Sequence, residues 1–449
     1  MHPDVDMRNK IFHLFTRQIQ GRCKGSRCSH TPVVGLAVTA VMLILIGCGG
    51  GGGGGGVGGI GGAVENPDWA PTTTYLPTLT INTANAQDIT SKEDYVDGEY
   101  RMADSNGVIL QEGGLEIRGR GNSTWKMPKK PYHIKLTDKA ALMGMPGGRH
   151  WVLLANCADI TLLRNETAFE LSRLLGMEYT TRSVFVELYL NGNYRGVYQL
   201  TEHIRIAKDR VNIPELKETD ISADTITGGY LIEVDERRGE DFCFDSERTD
   251  MVFCVKNPET LLEPGRELQR QYIVNYISRT DEAIFGEQFK DETTGYAAYI
   301  DVDSAIHYYL INELLKNIDG NLRLSAYMYK KRDGKLTFGP VWDFDLALGN
   351  ASGATSPEGW QIRSAPWFER MFEDPAFEQK VKARWGQMKT EGILTALFQH
   401  IDDQSLYLIN AQENNFQKWI KDNSYEKDID DLKEWLTLRI AWMDAQLSE

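Results

Sequence analysis

The hydrophobic period of this chain changes at Pro264, and that change bounds the architectures open to it. Before Pro264 the apolar residues alternate with polar ones, as in Leu79-Thr80-Ile81-Asn82-Thr83, Leu115-Glu116-Ile117-Arg118 and Tyr132-His133-Ile134-Lys135-Leu136. A period of two belongs to half-buried strands. Trp151–Ala155 reads as a buried strand, and Ser183–Leu190 and Gly196–Leu200 flank Asn191-Gly192, a strong two-residue hairpin signal. Gly229–Val234 is a further strand. One early helix is expected over residues 160–175, with Asp159 as its N-cap and Gly176 just past its end. After Pro264 the residues 265–285 and 301–317 follow the 3.6-residue helical period, and helices dominate from Pro366 onward. The expectation is an α+β fold, β-rich over about 76–260 and helical over about 265–449, in two lobes with a cleft between them.

The N-terminal segment stands apart from that core. Arg8, Lys10, Arg17, Arg22, Lys24 and Arg27 precede an apolar run from Pro32 to Ile46, which ends in Leu45-Ile46-Gly47-Cys48. A basic region, a short apolar run and a small residue before cysteine predict a bacterial lipoprotein signal over 1–48, with Cys48 acylated. Residues 49–70 open with an unbroken glycine run and predict a flexible tether. The remaining domain, 71–449, would be exported and held at the outer membrane or cell surface through lipidated Cys48. Net charge is −15, and removal of the basic leader makes the chain more acidic still. Such a surface argues against nucleic acid as a partner.

Three cysteines remain after Cys48. Cys243 and Cys254 flank a polar tip between two apolar runs, so they predict a disulfide across a hairpin, which an exported location permits. Cys157 adjoins an apolar strand and reads as a core residue.

The chemistry concentrates in two places. Trp342-Asp343-Phe344-Asp345 follows Asn317-Ile318-Asp319-Gly320-Asn321. In an extended strand, residues two apart share a face roughly 6 to 7 Å apart, so Asp343 and Asp345 would aim both carboxylates at one cation. Mg²⁺ is commonly held by one or two carboxylates plus phosphate oxygens. Asp319, upstream at a helix end, supplies a base for phosphoryl transfer. Upstream again, Arg118-Gly119-Arg120-Gly121 leaves a strand in a basic glycine turn, where backbone can approach phosphate and arginines can neutralise it. Lys135, within a strand, could reach the same phosphates. His133, His203 and His307 share no metal spacing and read as structural or surface residues.

Arg118-Gly119-Arg120-Gly121-Asn122-Ser123-Thr124-Trp125 followed by Pro128-Lys129-Lys130-Pro131-Tyr132-His133-Ile134-Lys135-Leu136 resembles the opening signature of the CotH family, atypical protein kinases of the spore-coat-protein-H type. Trp151–Asn156, Leu163-Arg164-Asn165, Phe185–Gly192, Gly196–Glu202, Gly229–Glu233 and the two aspartate runs continue the resemblance in order, from about Leu76 to Gly349. The resemblance implies a diverged bilobal protein-kinase-like fold that uses ATP and Mg²⁺ or Mn²⁺ to phosphorylate an acceptor protein at the surface. It implies that Lys135 contacts phosphate, Asp319 accepts the hydroxyl proton and Asp343 holds the metal. Tyr198 to Glu202 would border the adenine. Glu166 and Glu170 are both placed to partner Lys135. Ordinary kinases carry a metal-binding Asn five residues after the catalytic Asp, where this chain has Leu324; Asn321 or Asp345 would replace it.

Two other functions fit the same residues. One is a catalytically silent surface module for binding or adhesion, favoured by the scarcity of ATP outside the cytoplasm. The other is a metal-dependent hydrolase with Asp319 and Asp343 as an acid/base pair, which the basic turn disfavours.

Overall fold

A computed structural model describes residues 71–419 and 425–448. The expected signal over 1–48 and tether over 49–70 lie outside the described residues.

Seven strands close into a barrel in the order β1-β2-β3-β4-β5-β7-β6. They are β1 (Thr78–Thr83), β2 (Val96–Ala103), β3 (Ile109–Gly119), β4 (Tyr132–Ala140), β5 (Gly148–Leu154), β6 (Ser183–Leu190) and β7 (Asn193–Glu202). All neighbours are antiparallel except β1 and β6, whose parallel pairing sets Thr78 beside Glu187 and Ile81 beside Leu190. The alternation in sequence becomes inside and outside of the barrel. Leu79, Ile81, Leu115, Ile117, Ile134, Leu136, Trp151, Leu153, Val186, Leu188 and Leu200 fill its interior. The outward Val152, Leu154, Phe185 and Val197 join a second and larger core.

That larger core lies under a five-stranded antiparallel sheet ordered β12-β11-β8-β10-β9. Its strands are β8 (Tyr230–Val234), β9 (Phe242–Asp245), β10 (Val252–Asn257), β11 (Ala326–Lys330) and β12 (Leu336–Phe338). The helices are α1 (Arg164–Leu174), α2 (Glu267–Phe285), α3 (Tyr296–Tyr299), α4 (Val302–Leu314), α5 (Pro366–Met371), α6 (Pro375–Thr390), α7 (Ile393–Trp419) and α8 (Tyr425–Leu447). Asp301 caps α4 by accepting from the Ser304 N–H at 3.0 Å. Asp159 sits further ahead of its helix than the sequence suggested. Its carboxylate accepts from the Thr161 and Arg164 N–H groups, and α1 begins only at Arg164.

The α+β class stands, but the bilobal protein-kinase arrangement does not. A closed barrel replaces an open N-terminal sheet, and the β11–β12 hairpin around Asp333-Gly334 in the mainly helical second half joins a sheet shared with β8 to β10. The reason is pairing at long range: β11 hydrogen-bonds to β8, and β1 to β6, neither of which leaves a local signature. Helix α7 binds the barrel wall through polar side chains. Asn415 Oδ1 accepts from the Val197 N–H at 3.1 Å and from Lys129 Nζ at 2.8 Å, and Trp419 Nε1 donates to the Arg195 carbonyl at 2.7 Å. No helix among the described residues is long and apolar enough to cross a membrane.

Candidate functional site

A cavity of about 620 Å³ opens between the outer face of the barrel, the β8–β10 strands and the segment 342–346. Its volume suits a nucleotide-sized ligand. The barrel contributes the turn after β3. Gly119 is required there, because a Cβ would lie 2.4 Å from the Trp125 ring. Arg118 lies 4.7 Å from the Tyr95 ring centre and Arg120 lies 5.6 Å from that of Trp342, so both guanidiniums rest on aromatic faces at the cavity wall.

A second part of the lining is acidic. Asp319 follows α4 in a turn that Asn312 and Asn317 fix: Asn317 Nδ2 donates to Asn312 Oδ1 at 3.1 Å, and the Asp319 N–H donates to Asn317 Oδ1 at 3.2 Å. Gly320 is packed so closely that a Cβ would meet Asn312 Oδ1 at 2.0 Å. Asp343 and Asp345 reach the cavity by a different route from the expected strand. Residues 341–344 join no strand and 345–350 form turns, while Asp343 takes a left-handed backbone with φ 66°. Asp is among the few residues that adopt that conformation readily. Helix α1 holds the turn in place, with Asn165 Oδ1 accepting from the Phe344 N–H at 2.8 Å and Arg164 Nε donating to the Ala347 carbonyl at 3.0 Å. Ser325 Oγ donates to Asp343 Oδ2 at 3.0 Å, and Arg237 bridges Ser325 to Asp235.

The electrostatics follow from three carboxylates sharing one space. Burial, then the charge on Asp343, pushes Asp319 up to about 7. Burial, then Asp343 and Asp319, holds Asp345 well above the usual carboxylate range. Repulsion of this kind is relieved by a divalent cation, and the hard oxygen donors suit Mg²⁺ or Mn²⁺. All three carboxylates line the cavity as oxygen donors for such an ion, but their oxygens are not all within 4.8 Å of one another, as the ligand atoms of Glu166, Glu170 and His400 are.

A third wall is histidine. His133 and His203 stack with ring centres 4.8 Å apart, His133 Nε2 lies 3.3 Å from His150 Nδ1, and the Tyr95 hydroxyl meets His133 Nδ1 at 3.1 Å. Burial, then neighbouring positive groups, lowers His133 to about 3 and His150 to about 4, so both are neutral at neutral pH.

The family model described as CotH kinase protein matches residues 117–443. The chain belongs to the CotH kinase family. No curated protein matches it. Membership suggests a kinase-like function for the chain, without naming a site, substrate or cofactor.

In this CotH-family chain the cavity gathers Arg118, Gly119, Arg120, Gly121, Asp319, Asp343 and Asp345. Three other expected site residues are not among its lining. Lys135 points from β4 to Glu116 at 2.6 Å, half-buried on the same outward face as His133. Glu202 is buried against Arg182 at 3.0 Å and the Tyr179 hydroxyl at 3.1 Å. Asn321 keeps a buried Oδ1 without a hydrogen-bond partner. Neither Glu166 nor Glu170 serves Lys135. Both bind Arg173 and approach His400, and the guanidinium already supplies the cation for that cluster. Sequence reading missed Glu233, Asp235, Arg237 and Lys256, and took the lining residues His133 and His203 as structural. The outward position of His133, two residues from Lys135 on a strand, was the signal available for it.

Proposed function

We propose that this chain transfers the γ-phosphoryl group of ATP to a hydroxyl of an acceptor protein at the cell surface, to which acylated Cys48 tethers it. The observation that carries the reading is that one cavity is lined both by the Arg118–Gly121 turn and by the Asp319, Asp343 and Asp345 carboxylates, with Arg120 over the Trp342 ring beside Asp343. Phosphoryl transfer asks for these two poles, donors for the phosphate oxygens and carboxylates for the metal that shields them. In this reading Asp343 and Asp345 hold a divalent ion, which when bound neutralises phosphate charge. Arg118 and Arg120 bind and orient the triphosphate. Asp319 accepts the proton as the acceptor oxygen bonds to phosphorus, the bond to the β-phosphate oxygen breaks, and ADP leaves. The basic wall favours phosphate over sugar and so disfavours the hydrolase.

Incubation of the full chain with γ-labelled ATP and Mg²⁺ or Mn²⁺ tests this. Label on the chain itself or on a surface protein is expected, and lost in Asp319→Ala. Metal-dependent ATP binding with no transfer to any acceptor would instead support the silent surface module.

A further inference from the structure

Two lysines line the cavity, Lys92 and Lys256, and neither is the one the sequence suggests. Lys256, on β10, lines it together with two carboxylates that hold it. Its Nζ lies 2.5 Å from Asp241 Oδ2 and 3.4 Å from Glu233 Oε2, whereas Lys135 is turned to Glu116 outside the lining. Burial alone would lower the Lys256 pKa, but Glu233 and Asp241 outweigh it and keep the ammonium charged. An ammonium has three donors, and the two carboxylates engage two of them. A third is left for an anion in the cavity. Protein kinases present their phosphate-binding lysine in this way, against a glutamate.

The position of Lys256 depends on a covalent bond. In the β9–β10 ladder Cys243 lies opposite Cys254, and the two form a disulfide. Asp241 is two residues before Cys243 and Lys256 two after Cys254, so the ion pair lies just beyond the last rung of the ladder, Val255–Phe242, next to the disulfide. Strand β9 is at the sheet edge, paired with β10 alone among the described strands, and the preceding residues Arg238, Gly239, Glu240 and Asp241 form cavity wall.

We propose that Lys256, rather than Lys135, contacts the phosphates of a nucleoside triphosphate, and that the Cys243–Cys254 disulfide holds it in position to do so. This rests on the ATP reading above. Reduction removes the covalent link between β9 and β10 and leaves only backbone pairing to hold the edge that carries Asp241 against Lys256, so nucleotide affinity becomes sensitive to redox conditions.

Calorimetric titration of the full chain with MgATP, with and without a phosphine reductant, tests both halves. Lys256→Met should weaken binding about tenfold or more, the loss expected for a charge-assisted contact. Lys256→Arg should retain most of it, which separates lost charge from lost folding, and Lys135→Met should bind within about twofold of wild type. Reduction, or the Cys243→Ser/Cys254→Ser double variant, should weaken binding severalfold without unfolding the chain. Binding that Lys256→Met leaves unchanged, or a loss confined to Lys135→Met, overturns the assignment of the lysine. Equal affinity in oxidised and reduced protein overturns the role of the disulfide. No MgATP binding by wild type would remove the nucleotide reading itself, and this inference with it.

Discussion

Asn165 and Phe344 are joined by a hydrogen bond from the Phe344 N–H to Asn165 Oδ1 at 2.8 Å, which ties the first turn of α1 to the backbone between Asp343 and Asp345. Asn165→Ala leaves that buried N–H unpaired, at a cost of about 1–3 kcal/mol. It should also weaken Mg²⁺ binding, whereas Asn165→Asp keeps the acceptor oxygen and should restore the positioning. Thermal unfolding with and without Mg²⁺ reads both effects.

Asp343 and Asp319 should fail differently. Asp343→Asn retains the left-handed backbone that alanine would strain, and should abolish metal-dependent ATP binding. Asp319→Asn should bind MgATP normally and lose turnover by about 10²–10⁴, the range for a lost general base. Binding and single-turnover transfer, measured side by side, distinguish these outcomes. Equal loss of binding in both variants would mean that the two residues serve structure rather than separate steps.

The pH dependence of stability carries the signature of crowded carboxylates. Asp319 is raised from 3.8 to about 7, by burial and then by Asp343. A raised folded value stabilises fully below the unfolded one and is lost as pH rises through the folded one. The Asp319 contribution therefore declines between about pH 4 and 7. His133 and His150 run the other way: with folded values of about 3 and about 4, their contribution is complete above 6.5 and is lost as pH falls through those values. The difference in unfolding temperature between wild type and Asp319→Asn isolates the aspartate and should vary across that window. Mg²⁺ should raise the wild-type unfolding temperature more at about pH 8 than at about pH 5, because protons and metal compete for the same oxygens.

Arg439 and Glu313 form a fully buried ion pair, in which Glu313 also accepts from the Gln361, Ile362 and Arg363 N–H groups. Arg439→Met strands the carboxylate and should destabilise the chain by about 3–5 kcal/mol. Chemical denaturation provides the measurement. Since this pair lies outside the lining of the cavity, MgATP affinity of the folded fraction should stay near wild type.

Cys48→Ala should move the protein from the membrane to the soluble fraction, as expected for loss of the acyl acceptor. Fractionation and blotting check this. Unchanged membrane association would rule out the lipid tether.

Local structure was well legible in the sequence. The hairpin at Asn191-Gly192, the helix within 301–317 and the Cys243–Cys254 bridge each have short-range signals, and each is present. The misreadings share a cause. Asp343 and Asp345 look like alternate strand residues, yet a left-handed Asp343 and a turn held by Asn165 carry them to the cavity instead. Lys135 sits in a recognisable motif but turns to Glu116. Lys256 sits in an ordinary apolar run, Val252-Phe253-Cys254-Val255, and gains its place from cross-strand partners. Periodicity reports which face of a strand a residue occupies, but not which distant strand will lie beside it.

The parallel pairing of β1 with β6 means that the first strand of the barrel is also the last to be satisfied. Four strands, β2 to β5, separate the partners along the chain, and such non-local closure is slow compared with hairpin formation. A nascent or translocating chain would therefore carry an open sheet edge on β1 until β6 arrives. The barrel can close only once β7, which pairs with both β5 and β6, is also in place, so the cavity on its outer face takes shape late in folding.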